Sequence, residues 1–261
     1  MKLESKDYRI ALLIDADNSP ASKIEAILGE LSKYGTINVR RAYGNWKKAD
    51  LKAWEDQLHE FAIRPMQQFD YSRGKNASDM AMIIDAMELL YTDKPHAFAI
   101  VSSDADFTPL VMHLKSKGAA IFGFGQKKSP EPFQCACSTF LFVENLGTES
   151  IQLKNDELFT APATGVDILQ PVPSGKLRMD TRLVKLLHSA VQSAANEDGW
   201  AMLGTVGNYI SNQASFDPRN YGYDRLGEIF EATQLFESKR ITTVMYVRDI
   251  RFGKTKVVLP S

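Results

Sequence analysis

Between residues 10 and 143, short apolar runs alternate with longer stretches whose apolar side chains recur every three to four positions. The short runs read as strands and the longer, helically periodic stretches as helices. Strands are expected at 10–14, 37–42, 63–69, 98–101 and 120–123. A first helix opens at Ser19-Pro20, with Ser19 as cap and Pro20 in the first helical position, and carries Ile24, Ile27, Leu28 and Leu31. Leu51, Trp54, Leu58 and Phe61 mark a second helix. Met80, Ile83, Ile84 and Met87 mark a third, which Ala86, Leu89 and Leu90 make apolar nearly all round, as expected of a buried helix. Leu110, Val111 and Leu114 mark a fourth, ended by Lys117-Gly118. Strands alternating with helices predict an α/β fold, a parallel sheet flanked by helices.

After Leu146 the period lapses into a stretch with three of the eleven prolines and several small residues. It reads as a linker over residues 150–175, between a first domain at 1–149 and a second at 176–261. In the second domain Leu183, Leu186, Leu187, Ala190, Val191 and Ala194 form one helical stripe. Shorter helices follow at 203–210 and 225–236. Two strand-like runs, 242–250 and 255–259, joined by a Phe252-Gly253 turn, complete the pattern of a small winged helix-turn-helix.

Composition narrows the class. With 44% hydrophobic and 24% charged residues in 261, a mostly disordered or fibrous chain is excluded. The first residues match neither a signal nor a transit peptide, and no apolar run is long enough for a bilayer, so a cytoplasmic protein without a membrane partner is expected. Cys135 and Cys137, one residue apart, exclude a disulfide framework and a cysteine-only zinc set. Net charge is -1, but residues 174–261 hold 12 basic and 9 acidic side chains while residues 1–173 hold 19 and 23, so the two parts are suited to different jobs.

Ligands of a parallel α/β sheet bind beyond the carboxyl ends of its strands. There the acids collect: Asp15-Ala16-Asp17-Asn18 after the first strand, Ser102-Ser103-Asp104-Ala105-Asp106 after the fourth, and Asp79 at the start of the third helix. An aspartate at a helix start is commonly just a cap, but three such segments at one sheet edge are more than capping requires. Their repulsion calls for a cation, and hard oxygen donors suit Mg²⁺ or Mn²⁺. The chemistry this implies is metal-assisted phosphodiester hydrolysis. Asn18, Ser102 and Ser103 can orient the acids or waters; Asp17 and Asp85, the latter on an otherwise apolar helix, are expected in supporting positions. His59, His96, His113 and His188 lie away from these strand ends, which disfavours a histidine-pair mechanism. Trp46, Lys47 and Lys48 after the second strand, and Arg73 and Lys75 before Asp79, interleave rings and cations as a single-stranded RNA contact would, although solvated loops with packed rings have the same composition.

Taken together, Ile14-Asp15-Ala16-Asp17-Asn18, Lys75-Asn76-Ala77-Ser78-Asp79 with Asp85, and Val101-Ser102-Ser103-Asp104-Ala105-Asp106-Phe107 resemble the NYN domain, a branch of the PIN-like nucleases, in its LabA-like form, over residues 8–146. The resemblance implies a Mg²⁺- or Mn²⁺-dependent ribonuclease. Its catalytic, metal-holding acids fall on Asp15, Asp79, Asp104 and Asp106, with Asn18 as the accompanying amide and Asp85 as a weaker family acid. The additional Asp17 departs from the pattern; Asp15, which ends the strand, is favoured at the ion.

Downstream, Leu183 to Val191, Asp198-Gly199-Trp200, Leu203-Gly204, Phe216-Asp217-Pro218-Arg219-Asn220-Tyr221-Gly222-Tyr223, Leu226, Ile229 and Phe236 resemble the OST-HTH or LOTUS domain, a winged-helix module associated with RNA binding. Arg219 and Arg225, with Lys239 and Arg240, are its candidate phosphate contacts. Single-stranded RNA is therefore the expected partner, and a homo-oligomer is compatible with the sequence. Two alternatives stand beside this reading: an RNA-binding adaptor without significant cleavage, and a phosphohydrolase of the haloacid-dehalogenase type, to which Asp15-Ala16-Asp17 is similar but in which Asp79 would have no task.

Overall fold

The computed structural model describes residues 8–69, 76–147 and 170–252. The chain divides into two compact units, Met1–Gly147 and Thr148–Ser261. The first is built on a six-stranded sheet: β1 (Tyr8–Asp15), β2 (Gly35–Gly44), β3 (Arg64–Gln67), β4 (Ala97–Val101), β5 (Ala120–Gly125) and β6 (Thr139–Phe142). All neighbours are parallel and the order is β3-β2-β1-β4-β5-β6. Residues 10–14 of β1 are fully buried because helices cover both faces, which is why this strand reads as an unbroken apolar run. Ile10, Leu12 and Ile14 join α1 (Ile24–Leu31) in one core layer. Ala11 and Leu13 face α3 (Ala77–Tyr91) and α4 (Thr108–Ser116) in the other. The chain winds outward from β1 to β3, then crosses back to β4, so winding reverses between the carboxyl ends of β1 and β4. That crevice is where ligands bind in such sheets.

Several local expectations differ. Ser19 does not cap the first helix: its hydroxyl donates to the Val101 carbonyl at 3.2 Å, tying the end of β1 to that of β4, and a 3-10 turn, Ala21–Lys23, precedes α1. The second helix begins as the 3-10 stretch Ala49–Trp54 and becomes α2 only over Glu55–Glu60. α3 is not buried all round, since Met80, Ile84 and Tyr91 are exposed along its outer side. α5 (Glu131–Ala136) and β6 complete the unit; β6 extends the sheet by a strand that its four residues signal too weakly.

The second unit packs α6 (Ser174–Met179), α7 (Thr181–Ala194), α8 (Leu203–Gln213) and α9 (Leu226–Thr233) against a small antiparallel sheet. Its strands are β7 (Ala201–Met202), β8 (Phe236–Ile241) and β9 (Val244–Asp249), in the order β7-β9-β8. Asp180 caps α7 by accepting the Arg182 and Leu183 amides at 3.1 and 2.9 Å. Of the expected linker, residues 150–169 lie outside the described residues, whereas Val172 belongs to this unit, its amide donating to the Tyr221 carbonyl at 3.0 Å. Among the described residues the hairpin is β8–β9; of the expected runs 242–250 and 255–259, the first corresponds to β9 and the second lies outside the described residues. The hairpin is hard to read because only Phe236 of β8 is buried and the turn uses Thr242 at φ +56, where a glycine or asparagine is the usual signal. Among the described residues no helix is long and apolar enough to cross a membrane.

Candidate active site

Asp15 is the last residue of β1 and is 1% exposed. Its two carboxylate oxygens are both engaged. Oδ1 accepts the Asn18 amide at 3.2 Å; Oδ2 accepts Asn18 Nδ2 at 3.0 Å and Ser102 Oγ at 2.8 Å. Burial pushes this carboxyl above its ordinary pKa, while Ser102 and Asn18 pull it back down. Ser102 also accepts the Asp104 amide at 3.1 Å, so one hydroxyl fixes both acidic loops across the crevice. Ser103 Oγ accepts the Gln126 amide at 2.9 Å and thereby ties the β4 loop to the end of β5.

Asp104 caps the 3-10 turn Ala105–Phe107 by accepting the Asp106 amide at 2.9 Å. Asn76, at the head of α3, reaches Asp106 Oδ2 at 3.5 Å. Asp79 lies in the first turn of α3, 7% exposed, and accepts no hydrogen bond from the described residues. Its pKa is pushed up to about 6, first by burial and then by the charges of Asp15, Asp104, Asp17 and Asp106. The structure therefore brings Asp15, Asp17, Asn18, Asp79, Ser102, Asp104 and Asp106 to one place, and Asp79 carries most of the cost.

The residues 9–144 match the NYN domain model, which covers more than half of the chain. The chain belongs to the NYN domain family. Residues 178–247 match the OST-HTH/LOTUS domain, so a nuclease type of domain precedes an RNA-binding type of module. An uncharacterized protein of the archaeon Methanocaldococcus jannaschii is 31% identical over 123 residues, 46% of this chain and 48% of that protein; the chain thus spans about half the length of this relative. A solved structure of a protein of unknown function from Vibrio parahaemolyticus aligns with a TM-score of 0.44 at 17% identity, over 54% of this chain and 96% of that one.

Within the NYN domain the extra acid, Asp17, has its own partners. Its Oδ2 accepts Ser78 Oγ at 2.9 Å and its Oδ1 faces Lys48 Nζ at 3.2 Å. Ser78 adjoins Asp79, so Asp17 anchors the start of α3 to the β1 loop. Asp85 is turned the other way, toward β2, and is held by Arg41 and the Tyr43 hydroxyl. Burial and the Asp85 charge push the Tyr43 phenol far up, so it remains a donor. Arg41 lies on the expected second strand and Tyr43 just past its expected end, where β2 in fact continues to Gly44, and no spacing rule links them to Asp85.

The candidate RNA contacts are dispersed. Trp46 packs partly into the core with its indole N–H buried, which limits it as a free stacking platform. Lys47 stands over the Phe69 ring at 5.0 Å. Arg73 and Lys75 lie outside the described residues. Arg219 is engaged by Asp217 through two parallel bonds, Nε to Oδ1 at 2.9 Å and Nη2 to Oδ2 at 2.7 Å, and exposed Arg225 precedes α9.

The NYN acids suit a divalent ion in chemistry: the donors are all hard oxygens, and Asp79 is a buried carboxyl whose charge is opposed by its neighbours. Among the described residues no three acidic, histidine or cysteine side chains are already drawn together as a closed metal set. The residues thus supply the ligand type and the unbalanced charge that favours an ion, without a preassembled cage.

Proposed function

We propose that the NYN domain is a Mg²⁺- or Mn²⁺-dependent ribonuclease acting at Asp15, Asp79, Asp104 and Asp106, and that the OST-HTH module holds the RNA. The observation that carries this reading is Asp79, a buried carboxyl raised to about 6 by burial and four neighbouring aspartates, at the reversal point of a parallel sheet. A cation bound by these carboxylates supplies charge neutralisation at the scissile phosphate and a water of lowered pKa.

The chain's own residues do the rest. Ser102 and Asn18 hold Asp15 in one orientation. The Asp106 amide fixes Asp104, and the Ser102 hydroxyl binds the Asp104 amide, so the second acidic loop keeps its distance from the first. Asp17, through Ser78, positions the turn that carries Asp79. Hydrolysis adds a water oxygen to phosphorus as the bond to the leaving oxygen breaks, with the water's proton accepted within this carboxylate group and a proton returned to the leaving oxygen, which departs as a hydroxyl. Exposed Lys47 and Lys48 at the rim are suited to RNA phosphates.

The test is incubation of the purified chain with end-labelled single-stranded RNA in Mg²⁺, Mn²⁺ and EDTA, alongside Asp104→Asn. Cleavage that requires metal and disappears in the variant is expected. Retained RNA binding without cleavage under any condition would instead identify an RNA-binding adaptor.

A further inference from the structure

The outer face of the small sheet in the second unit carries a second arrangement, remote in sequence from the acids. Val247 and Ala201 pair across β9 and β7 and are both fully buried, so this side of the sheet meets the core. Strand alternation then turns Met202, Tyr246, Arg248 and Lys239 outward: Met202 pairs with Tyr246, Lys239 with Tyr246, and Glu237 with Arg248. Trp200, immediately before β7, lies against them. Lys239 Nζ is 3.9 Å from its ring centroid and Arg248 Cζ is 4.5 Å.

The main chain that carries the indole is held in place. Asn196 Oδ1 accepts the Trp200 amide at 2.8 Å, the Trp200 carbonyl accepts the Asn196 amide at 2.9 Å, and Gly199, at φ +79, closes the turn between them. A cation over an indole face retains its charge while losing conformational freedom, so less entropy remains to be lost when a phosphate arrives. Glu237 pairs with Arg248 and leaves it about a third exposed, whereas Lys239 is exposed. Two cations fixed on an aromatic base, with the Tyr246 ring beside them, are the components of a single-strand site: charge for the backbone, rings for the bases.

We infer that Trp200, Lys239, Arg248 and Tyr246 form the surface on which the second module holds single-stranded RNA. This rests on the reading of that module as the RNA holder and names the face it uses. Arg219, paired with Asp217 as Arg248 is with Glu237, lies in the 3-10 turn Pro218–Tyr221 and not on this sheet, and so serves as the comparison.

The experiment is fluorescence anisotropy of a labelled single-stranded RNA titrated with the full chain in EDTA, over a series of salt concentrations. The variants are Lys239→Ala, Arg248→Ala, Tyr246→Ala and Trp200→Phe, with Arg219→Ala for comparison and a thermal melt of each to verify folding. Lys239→Ala is at an exposed position and keeps the test valid should Trp200→Phe unfold. Tyr246→Ala is expected to weaken binding on the order of tenfold. Each cation variant is expected to flatten the slope of log affinity against log salt by about 0.7, the value for one single-strand phosphate contact. Wild-type binding with affinity and slope unchanged in Lys239→Ala and Arg248→Ala would overturn the assigned surface alone. No binding by wild type would overturn both the surface and the RNA-holding reading.

Discussion

The Ser102 hydroxyl donates to Asp15 Oδ2 at 2.8 Å and accepts the Asp104 amide at 3.1 Å, so a single oxygen couples the carboxyl ends of β1 and β4. Ser102 is 1% exposed, and water cannot easily replace it there. Ser102→Ala should lower RNA cleavage by about 10- to 100-fold, the usual cost of losing a group that orients a metal-binding acid. It should also cost about 1–3 kcal/mol of stability, because Asp15 loses a donor inside the protein. Single-turnover cleavage rates and urea titrations measure the two effects separately.

Asp79 makes stability depend on pH in a defined direction. Its folded pKa, about 6, lies above the ordinary 3.8, chiefly through burial and then through its acidic neighbours. The folded state therefore holds this proton more tightly, and the cost of charging Asp79 is fully present above pH 6 and relieved as pH falls from 6 toward 4. In EDTA, Asp79→Asn should melt higher than wild type at pH 7.5, with the difference shrinking by pH 5. Mg²⁺ or Mn²⁺ should raise the wild-type melting temperature at pH 7.5 more than that of Asp79→Asn. Thermal melts of both proteins across this range check the prediction, and parallel curves in EDTA would contradict it.

Asp85 should behave as a structural acid. Its partners are Arg41 and Tyr43 on β2, with Asp85 itself 8% exposed. Asp85→Ala removes one side of a largely buried pair and should destabilise the fold on the order of 3 kcal/mol. Cleavage per folded molecule should fall far less than in Asp79→Asn. Chemical denaturation together with activity normalised to the folded fraction distinguishes the two residues.

Asp17 should act through the start of α3. Asp17→Ala removes the bond from Ser78 and the ion pair with Lys48. Cleavage should drop by about tenfold, as for other groups that orient a catalytic acid through an intermediary. Ser78→Ala should reproduce part of that drop, and the double variant should be no worse than Asp17→Ala, since both changes remove the same contact.

These assignments also mark what a single sequence discloses. The α/β class is legible because β1 is buried on both faces and helices of regular period alternate with strands, so sequence and burial repeat together. The three acidic segments are legible because strand ends are the known place for ligands in such sheets. The partners of each acid are not: Ser102 lies 87 positions from Asp15, and Arg41 lies 44 from Asp85, separations at which no local period operates. β8 was hidden because five of its six residues face solvent and supply no apolar alternation. Trp200 stands in the sequence only as part of the OST-HTH resemblance; the register of β8 and β9 is what sets Lys239 and Arg248 beside it.

The central claim is that the carboxylates at the β1–β4 crevice bind the cation that RNA cleavage requires. Mn²⁺ binding, followed by electron paramagnetic resonance, and cleavage of labelled single-stranded RNA can be measured in the same samples for wild type, Asp79→Asn and Asp104→Asn. The account predicts that bound Mn²⁺ and cleavage rate rise together in wild type and that both are lost in each variant. Cleavage that persists in EDTA, or at the wild-type rate in Asp79→Asn, would contradict it.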